Sequence, residues 1–230
     1  MLFIIGVSSS YVSCASYLFI RGNGDLVTSE RDVSSFDKIC SGGSAEIRFH
    51  PSQESRVVVT TDSNLIDYVT TETKSKTLNI GTEWGSYSFT KIVVDVYGPV
   101  LTGVSMSGSG KFYCGEEITA TSFAADVSGS GRIEGSIECD KFTARISGSG
   151  KITVSGTSRD SGITISGSGN FYGKELCTNN ASVDVSGSGR AEVYVTGNLD
   201  VKISGSGRVS YQGEPRVDVK VSGSGRISRL

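Results

Sequence analysis

An all-β chain wound as a single parallel β-helix, with about seven coils of 18–21 residues and a broader N-terminal β region, follows from three features of the sequence. The first is a tetrad, Ser-Gly-Ser-Gly, that begins at Ser107, Ser128, Ser147, Ser166, Ser186, Ser204 and Ser222, at offsets of 21, 19, 19, 20, 18 and 18 residues. A near-constant period of this length marks a solenoid, because one such unit cannot bury its apolar face alone and must stack on its neighbours. The second is strict alternation around the tetrad. The positions three before, one before and five after its first serine are Val104, Met106, Phe112; Ala125, Val127, Ile133; Ala144, Ile146, Ile152; Ile163, Ile165, Phe171; Val183, Val185, Ala191; Val201, Ile203, Val209; and Val219, Val221, Ile227. All are apolar in a chain that is only 37% hydrophobic, and period-2 spacing rich in β-branched residues specifies strand. The third is that nothing between tetrads supplies the crossover helices of a βαβ fold. In-register parallel sheets are what remains, with a right-handed winding expected.

Within one coil, a strand of about six residues runs into the tetrad. The position five before it is apolar at Phe123, Phe142, Ala181, Leu199 and Val217, failing at Thr102 and Ser161. A second strand follows, clearest where Ala191, Val193 and Val195 share one face, and then a turn signal: Arg159-Asp160, Asn179-Asn180, Gly197-Asn198 or Gly213-Glu214-Pro215. The tetrad glycines admit two readings. Either the strand continues through them and they leave room for side chains from the opposite wall, or the tetrad is a corner in which glycine supplies a positive φ.

The residue after each tetrad is Lys111, Arg132, Lys151, Asn170, Arg190, Arg208 or Arg226. Stacked, these form a basic column. It serves either as an electropositive stripe for an acidic glycan or a membrane, or as a solvated ladder that discourages edge pairing, balanced by Asp126, Glu134, Asp184 and Glu192.

The chain divides into residues 1–24, an export-signal remnant and tether, 25–103, a β region that continues or caps the solenoid, and 104–230, the tetrad coils. Strand signals in the middle section fall at 36–40, 45–49, 56–61, 77–80 and 92–97, with one helical turn possible in composition at 64–69. The segment Glu83-Trp84-Gly85-Ser86-Tyr87-Ser88-Phe89 gathers the only tryptophan with two further aromatics. Trp84, Tyr87 and Phe89 therefore form either a stacking platform for sugar or peptide, or a plug over the core.

Residues 1–20 carry no charge and include the apolar run Leu2-Phe3-Ile4-Ile5-Gly6-Val7. Tyr11-Val12-Ser13-Cys14 is a loose lipobox that makes Cys14 a lipid-attachment residue, while Ser13-Cys14-Ala15 also fits ordinary cleavage after Ala15. A membrane-spanning helix is disfavoured by the serines at 8, 9, 10, 13 and 16. Of the other cysteines, Cys40, Cys114, Cys139 and Cys177, none has zinc-site spacing. Cys139 and Cys177 fall in similar columns two coils apart, about 10 Å, beyond disulfide reach, so buried free thiols are expected.

Several functions are excluded by composition and motif. With 22 basic and 24 acidic residues and a pI near 5.5, the chain has no electrostatic footprint for nucleic acid. The tetrad is followed by Lys or Arg where calcium-binding β-rolls need Asp, and it lacks the Lys-Ser/Thr of a phosphate loop. His50, the single histidine, stands before Pro51 without any sign of a catalytic triad. No cofactor and no metal is expected.

The stretch from Asp25 to Ile39 (Asp-Leu-Val-Thr-Ser-Glu-Arg-Asp-Val-Ser-Ser-Phe-Asp-Lys-Ile), the run Val57-Val-Val-Thr-Thr-Asp-Ser-Asn-Leu-Ile-Asp-Tyr-Val, Thr77-Leu-Asn-Ile and the Val-Ser-Gly-Ser-Gly-Arg-Ile coils resemble the bacterial family described as "putative auto-transporter adhesin, head GIN domain", over residues 25–230. The resemblance implies an exported β-solenoid of the Gram-negative envelope, outer-membrane-anchored or surface-displayed, held to the membrane through an N-terminal lipid. The expectation is a non-enzymatic, adhesin-like protein that binds a glycan or protein or acts as a structural surface module, with self-association through the solenoid ends as a further partner mode. The alternative is a carbohydrate-active β-helix enzyme of lyase or hydrolase type, which needs converging carboxylates or a Lys/Arg base in a cleft.

Overall fold

The computed structural model describes residues 19–230, and Cys14 lies outside them. Strands Lys111–Gly129, Arg132–Gly148, Lys151–Gly167, Asn170–Gly187 and Arg190–Gly205 each run 16–19 residues and pair in parallel, each with the next. One ladder precedes the tetrad, with Ala125, Ala144, Ile163, Val183 and Val201 in register. A second follows it, through Phe112, Ile133, Ile152, Phe171, Ala191 and Val209. A third lies between these two along each coil, with Ile118, Ile137, Gly156 and Leu176 in register.

The alternating apolar positions line one continuous core. All three flanking positions of every tetrad are buried except in the last coil, where Val219 and Val221 are 37% and 44% exposed and Ile227 is half-buried. That coil has a neighbour on one side only. Phe142 and Phe171 pack with ring centroids 6.0 Å apart. Each buried Val, Leu, Ile or Phe contributes about 1.5–3 kcal/mol, so the stacked columns carry most of the driving force. Ser161, an exception to the apolar pattern, is buried and shares a hydrogen bond with Thr178 Oγ1 at 3.0 Å.

The tetrad is a corner, and its two glycines do different work. The first has positive φ in all seven copies, from +109° to +119°. Its carbonyl accepts the amide of the second serine one coil on, as Gly129 O does from Ser149 at 2.9 Å, and the ladder thus continues around the bend. A Cβ on Gly148 would stand 2.8 Å from that same oxygen. The second glycine faces inward: a Cβ on Gly150 would meet Val127 Cγ1 at 2.3 Å, so the branched side chain of the preceding coil occupies the space glycine leaves. The corner reading holds: the strand stops at each tetrad, and the room left by the second glycine goes to a side chain of the preceding coil and not of the opposite wall.

Two further coils lie in the region before residue 104. Lys38–Gly43 and Glu46–Pro51 flank Ser41-Gly42-Gly43-Ser44, a permuted corner whose Gly43 has φ +97° and stands in register with Gly108. Thr77–Thr82 and Ile92–Gly98 pair in parallel with those two strands and make the end coil. Residues 83–91 replace the tetrad at its corner. Beyond it the pairing becomes antiparallel: Val69–Lys74 on Thr77–Thr82, Arg56–Asp62 on Ile92–Gly98, and Leu26–Asp32 outermost on Arg56–Asp62. Arg31 ties the two antiparallel segments by donating to the carbonyls of Val69 and Ile66. The Asp62 carboxylate, fully enclosed, accepts the amides of Gly24 and Thr90, each at 2.8 Å. Burial opposes its ionisation, but these hydrogen bonds outweigh it and hold the group below the usual carboxylate range.

Candidate functional site

A concavity of about 620 Å³ opens on the outer surface of the pre-tetrad ladder between residues 141 and 218. Strand alternation builds it, since every second residue points outward. Lys141, Asp160, Asn180, Asn198 and Arg216 stand in register along one wall, and Thr143, Gly162, Ser182, Asp200 and Asp218 occupy the row two residues on. Gly162 and Ser182 leave the middle of that second row almost without side chain, and a Cβ on Gly162 would have nothing within 4 Å. Longer polar groups surround that floor, and five coils at about 4.8 Å spacing give a trough about 19 Å long.

The wall is ordered by its own hydrogen bonds. Asn198 Nδ2 donates to Asn180 Oδ1, and Asn180 Nδ2 to Asp160 Oδ1, both at 2.9 Å. Arg159 Nε donates to the other Asp160 oxygen at 3.0 Å. The Asn180 bond, then that of Arg159, keeps the Asp160 carboxyl below its ordinary range. Fixed amides, carboxylates and terminal cations over a flat floor suit hydroxyl groups, which both donate and accept. Among the described residues no group of His, Cys, Asp and Glu could hold a metal ion.

Residues 35–215 match the family described as "Putative auto-transporter adhesin, head GIN domain". The chain belongs to that family. A "putative adhesin" from Bacteroides fragilis superposes with TM-score 0.87 at 22% identity, over 91% of this chain and 99% of that one. A "putative adhesin" from Parabacteroides distasonis gives 0.78 at 27%, over 92% and 100%. A "putative lipid binding protein" from the same species gives 0.77 at 27%, over 93% and 100%. No curated protein matches the sequence.

The sequence of this adhesin-family chain points to other surfaces than the trough. Lys111, Arg132, Lys151, Asn170, Arg190, Arg208 and Arg226 do stand in register as one column, extended backwards by Glu46, but on the ladder after the tetrad. They line no part of the trough. Lys151 Nζ sits 4.7 Å from the Tyr172 ring centroid, and Lys111 shares a hollow of about 230 Å³ with Phe89. The aromatic loop sits at the end coil's corner and divides in role. Tyr87 packs between Tyr68 and Phe89, with centroids at 4.9 and 5.9 Å, and burial pushes its phenol up; Trp84 is 83% exposed. Tyr87 and Phe89 line a hollow against Gly42, Gly43 and Ala45.

The residues missed by sequence reasoning were in view as turn signals. Asp160, Asn180 and Asn198 are the wall of the trough, and the strand continues through them. Their spacing of 20 and 18 residues equals the tetrad period, which places them in one column. His50 Nε2 lies 3.0 Å from Asp95 Oδ1 and stacks on Tyr97 at 4.8 Å, forming a surface cluster with Arg56. The four described cysteines are free. Cys139 stands in register with Ser158 and Thr178 whereas Cys177 aligns with Thr157, so the two lie in neighbouring columns and not in one.

Proposed function

We propose that the chain is a non-enzymatic, surface-displayed binding module whose trough engages a glycan through its hydroxyl groups. The observation that carries this reading is the trough itself: about 620 Å³ with a side-chain-free floor at Gly162, walled by a hydrogen-bonded Asp160–Asn180–Asn198 row. Membership of an adhesin family supports a role in attachment and a place outside the cytoplasm. Protein and glycan remain the two ligand classes in which attachment proteins deal, and repeated, evenly spaced amides and carboxylates favour a repeating polymer. Asp160, Asp200 and Asp218 line the trough, but the one whose ionisation is displaced, Asp160, is held ionised, opposite to the raised value of a general acid that the enzymatic alternative needs.

The test exploits Gly162. Because a side chain there meets open space and its φ lies outside the left-handed region, Gly162→Trp blocks the trough while leaving the core intact. On a glycan array and in titration calorimetry, wild type binds a hydroxyl-rich polysaccharide; Gly162→Trp and Asn180→Ala lose that binding, and Trp84→Ala retains it. Binding that survives Gly162→Trp refutes the assignment, as does wild-type binding confined to proteins.

A further inference from the structure

The two ends of the solenoid are finished differently. Before residue 104 the antiparallel strands close the core, and Val57, Val59, Val94 and Val96 are fully buried there. At the other end Arg216–Gly223 pairs with Arg190–Gly205 on one side and, among the described residues, with no strand on the other. Its inward positions are Val217, Val219 and Val221, and the last two are 37% and 44% exposed, against 1% and 2% for Val201 and Ile203 one coil earlier. The following strand, Arg226–Arg229, is blunted. Arg229 is in register with Tyr211 and through it with buried Val193, so it takes an inward position, and it meets Glu214 at 3.1 Å. An inward charge of this kind discourages edge pairing. Arg216–Gly223 has neither an inward charge nor a proline, and the open edge narrows to that one strand.

We propose that this strand pairs with the same strand of a second copy, antiparallel across a two-fold axis at Val219, and so joins two solenoids end to end. The run Arg-Val-Asp-Val-Lys-Val-Ser at 216–222 is complementary to itself when reversed about its centre. That register sets Asp218 opposite Lys220 of the second copy and Lys220 opposite its Asp218, while Val217 meets Val221 and Val219 meets its own counterpart on the inner face. Opposite charges directly across a strand pair stabilise it, and like charges destabilise it. Within one chain the columns run like on like, with Asp218 beside Asp200 and Lys220 beside Lys202. A reversed second copy offers each the opposite sign. Backbone pairing narrows the register further. In a strand already paired in parallel on one side, the amides and carbonyls left free belong to every second residue, so an antiparallel partner satisfies them only when the axis passes through a residue. Centring on Asp218 or Lys220 sets that charge against itself, and centring on Val217 brings in Pro215, which has no amide hydrogen. Centring on Val221 leaves Asp218 and Lys220 without a counterpart. The axis at Val219 keeps both inner faces on the same side, and the valines of the two copies close one core. Such a contact is isologous and stops at the dimer. It does not rest on the trough's ligand, although Arg216 and Asp218 line the trough as well.

Sedimentation velocity on the full chain, without glycan and at low ionic strength where exposed charge pairs are least screened, reads the assembly directly. Expected is a concentration-dependent equilibrium between monomer and dimer, with no larger species. Lys220→Asp puts two like-charged pairs into the interface and weakens the dimer about tenfold. Within its own chain the new carboxylate stands beside Lys202, so the fold does not suffer and the loss is one of pairing. Combining Asp218→Lys with Lys220→Asp restores the dimer, because the exchange keeps each cross-strand pair complementary. A chain that stays monomeric at millimolar concentration overturns the proposal and leaves the edge to a different protein's strand. Growth past the dimer, wild-type dimerisation by Lys220→Asp, or failure of the exchanged pair to restore it overturns the proposal equally.

Discussion

Replacing Gly148 by alanine tests the account of the corner. Its φ of +112° is a conformation that side-chain-bearing residues avoid, and holding alanine there costs about 1–3 kcal/mol. The new Cβ also falls 2.8 Å from the Gly129 carbonyl oxygen, which accepts the Ser149 amide at 2.9 Å. Relieving that overlap pulls the corner away from the coil before it, and the lost hydrogen bond adds about 0.5–1.5 kcal/mol. The two effects sum to a destabilisation of about 2–4 kcal/mol. Gly162→Ala is the control: no atom lies within 4 Å of its new Cβ, and the reduced freedom of the unfolded chain makes it neutral or stabilising by about 0.4–1 kcal/mol. Guanidinium unfolding followed by circular dichroism compares the two midpoints. If Gly148→Ala unfolds at the same denaturant concentration as Gly162→Ala, the corner tolerates a side chain and the explanation of the tetrad is wrong.

Three other outcomes follow from the core and the cap. Phe142→Ala removes a fully buried ring in contact with Phe171 and lowers stability by about 3–5 kcal/mol in the same assay. The depressed Asp62 carboxyl contributes stability that is complete above the ordinary value of about 3.9 and is lost as pH falls through its lower folded value. Guanidinium unfolding followed by circular dichroism therefore shows stability falling below about pH 4, and Asp62→Asn loses that pH dependence. Burial pushes the thiols of Cys114 and Cys139 up, so Cys114, the buried one, resists alkylation at neutral pH until the chain unfolds, as peptide mass mapping will show.

The solenoid was legible because its code is local and repeated. Val127, Ile146, Ile165 and Val185 occupy one place relative to one tetrad, and each is buried as that place demands. What escaped was whatever broke the repetition in sequence but kept it in space. Ser41-Gly42-Gly43-Ser44 performs the corner with its serines and glycines permuted, since only the glycine at position 43 must take the positive φ. The end coil keeps its two strands, Thr77–Thr82 and Ile92–Gly98, but exchanges the corner for the aromatic loop, which no tetrad search can find. The trough was hidden differently. Asp160, Asn180 and Asn198 have the composition of turns, and only the parallel register converts three separate turn residues into one wall. The column of basic residues was visible for the same reason that it bears on no cavity of this size: a charge repeated at every coil makes a ridge, and a cavity needs a place where the side chain is missing.

At the corners the amide of one coil donates to a carbonyl of the coil before it, as Ser130 does to Gly108 and Ser206 to Gly187, so the ladders continue around the bends along the long axis. A pull along the long axis of the coils therefore acts along those bonds. Every ladder of one coil interface, the corner bonds included, shares the load at once. Mechanical strength then depends on the weakest interface and not on the number of coils, so a solenoid of this build can grow longer by whole coils, as its tetrad period allows, without yielding sooner.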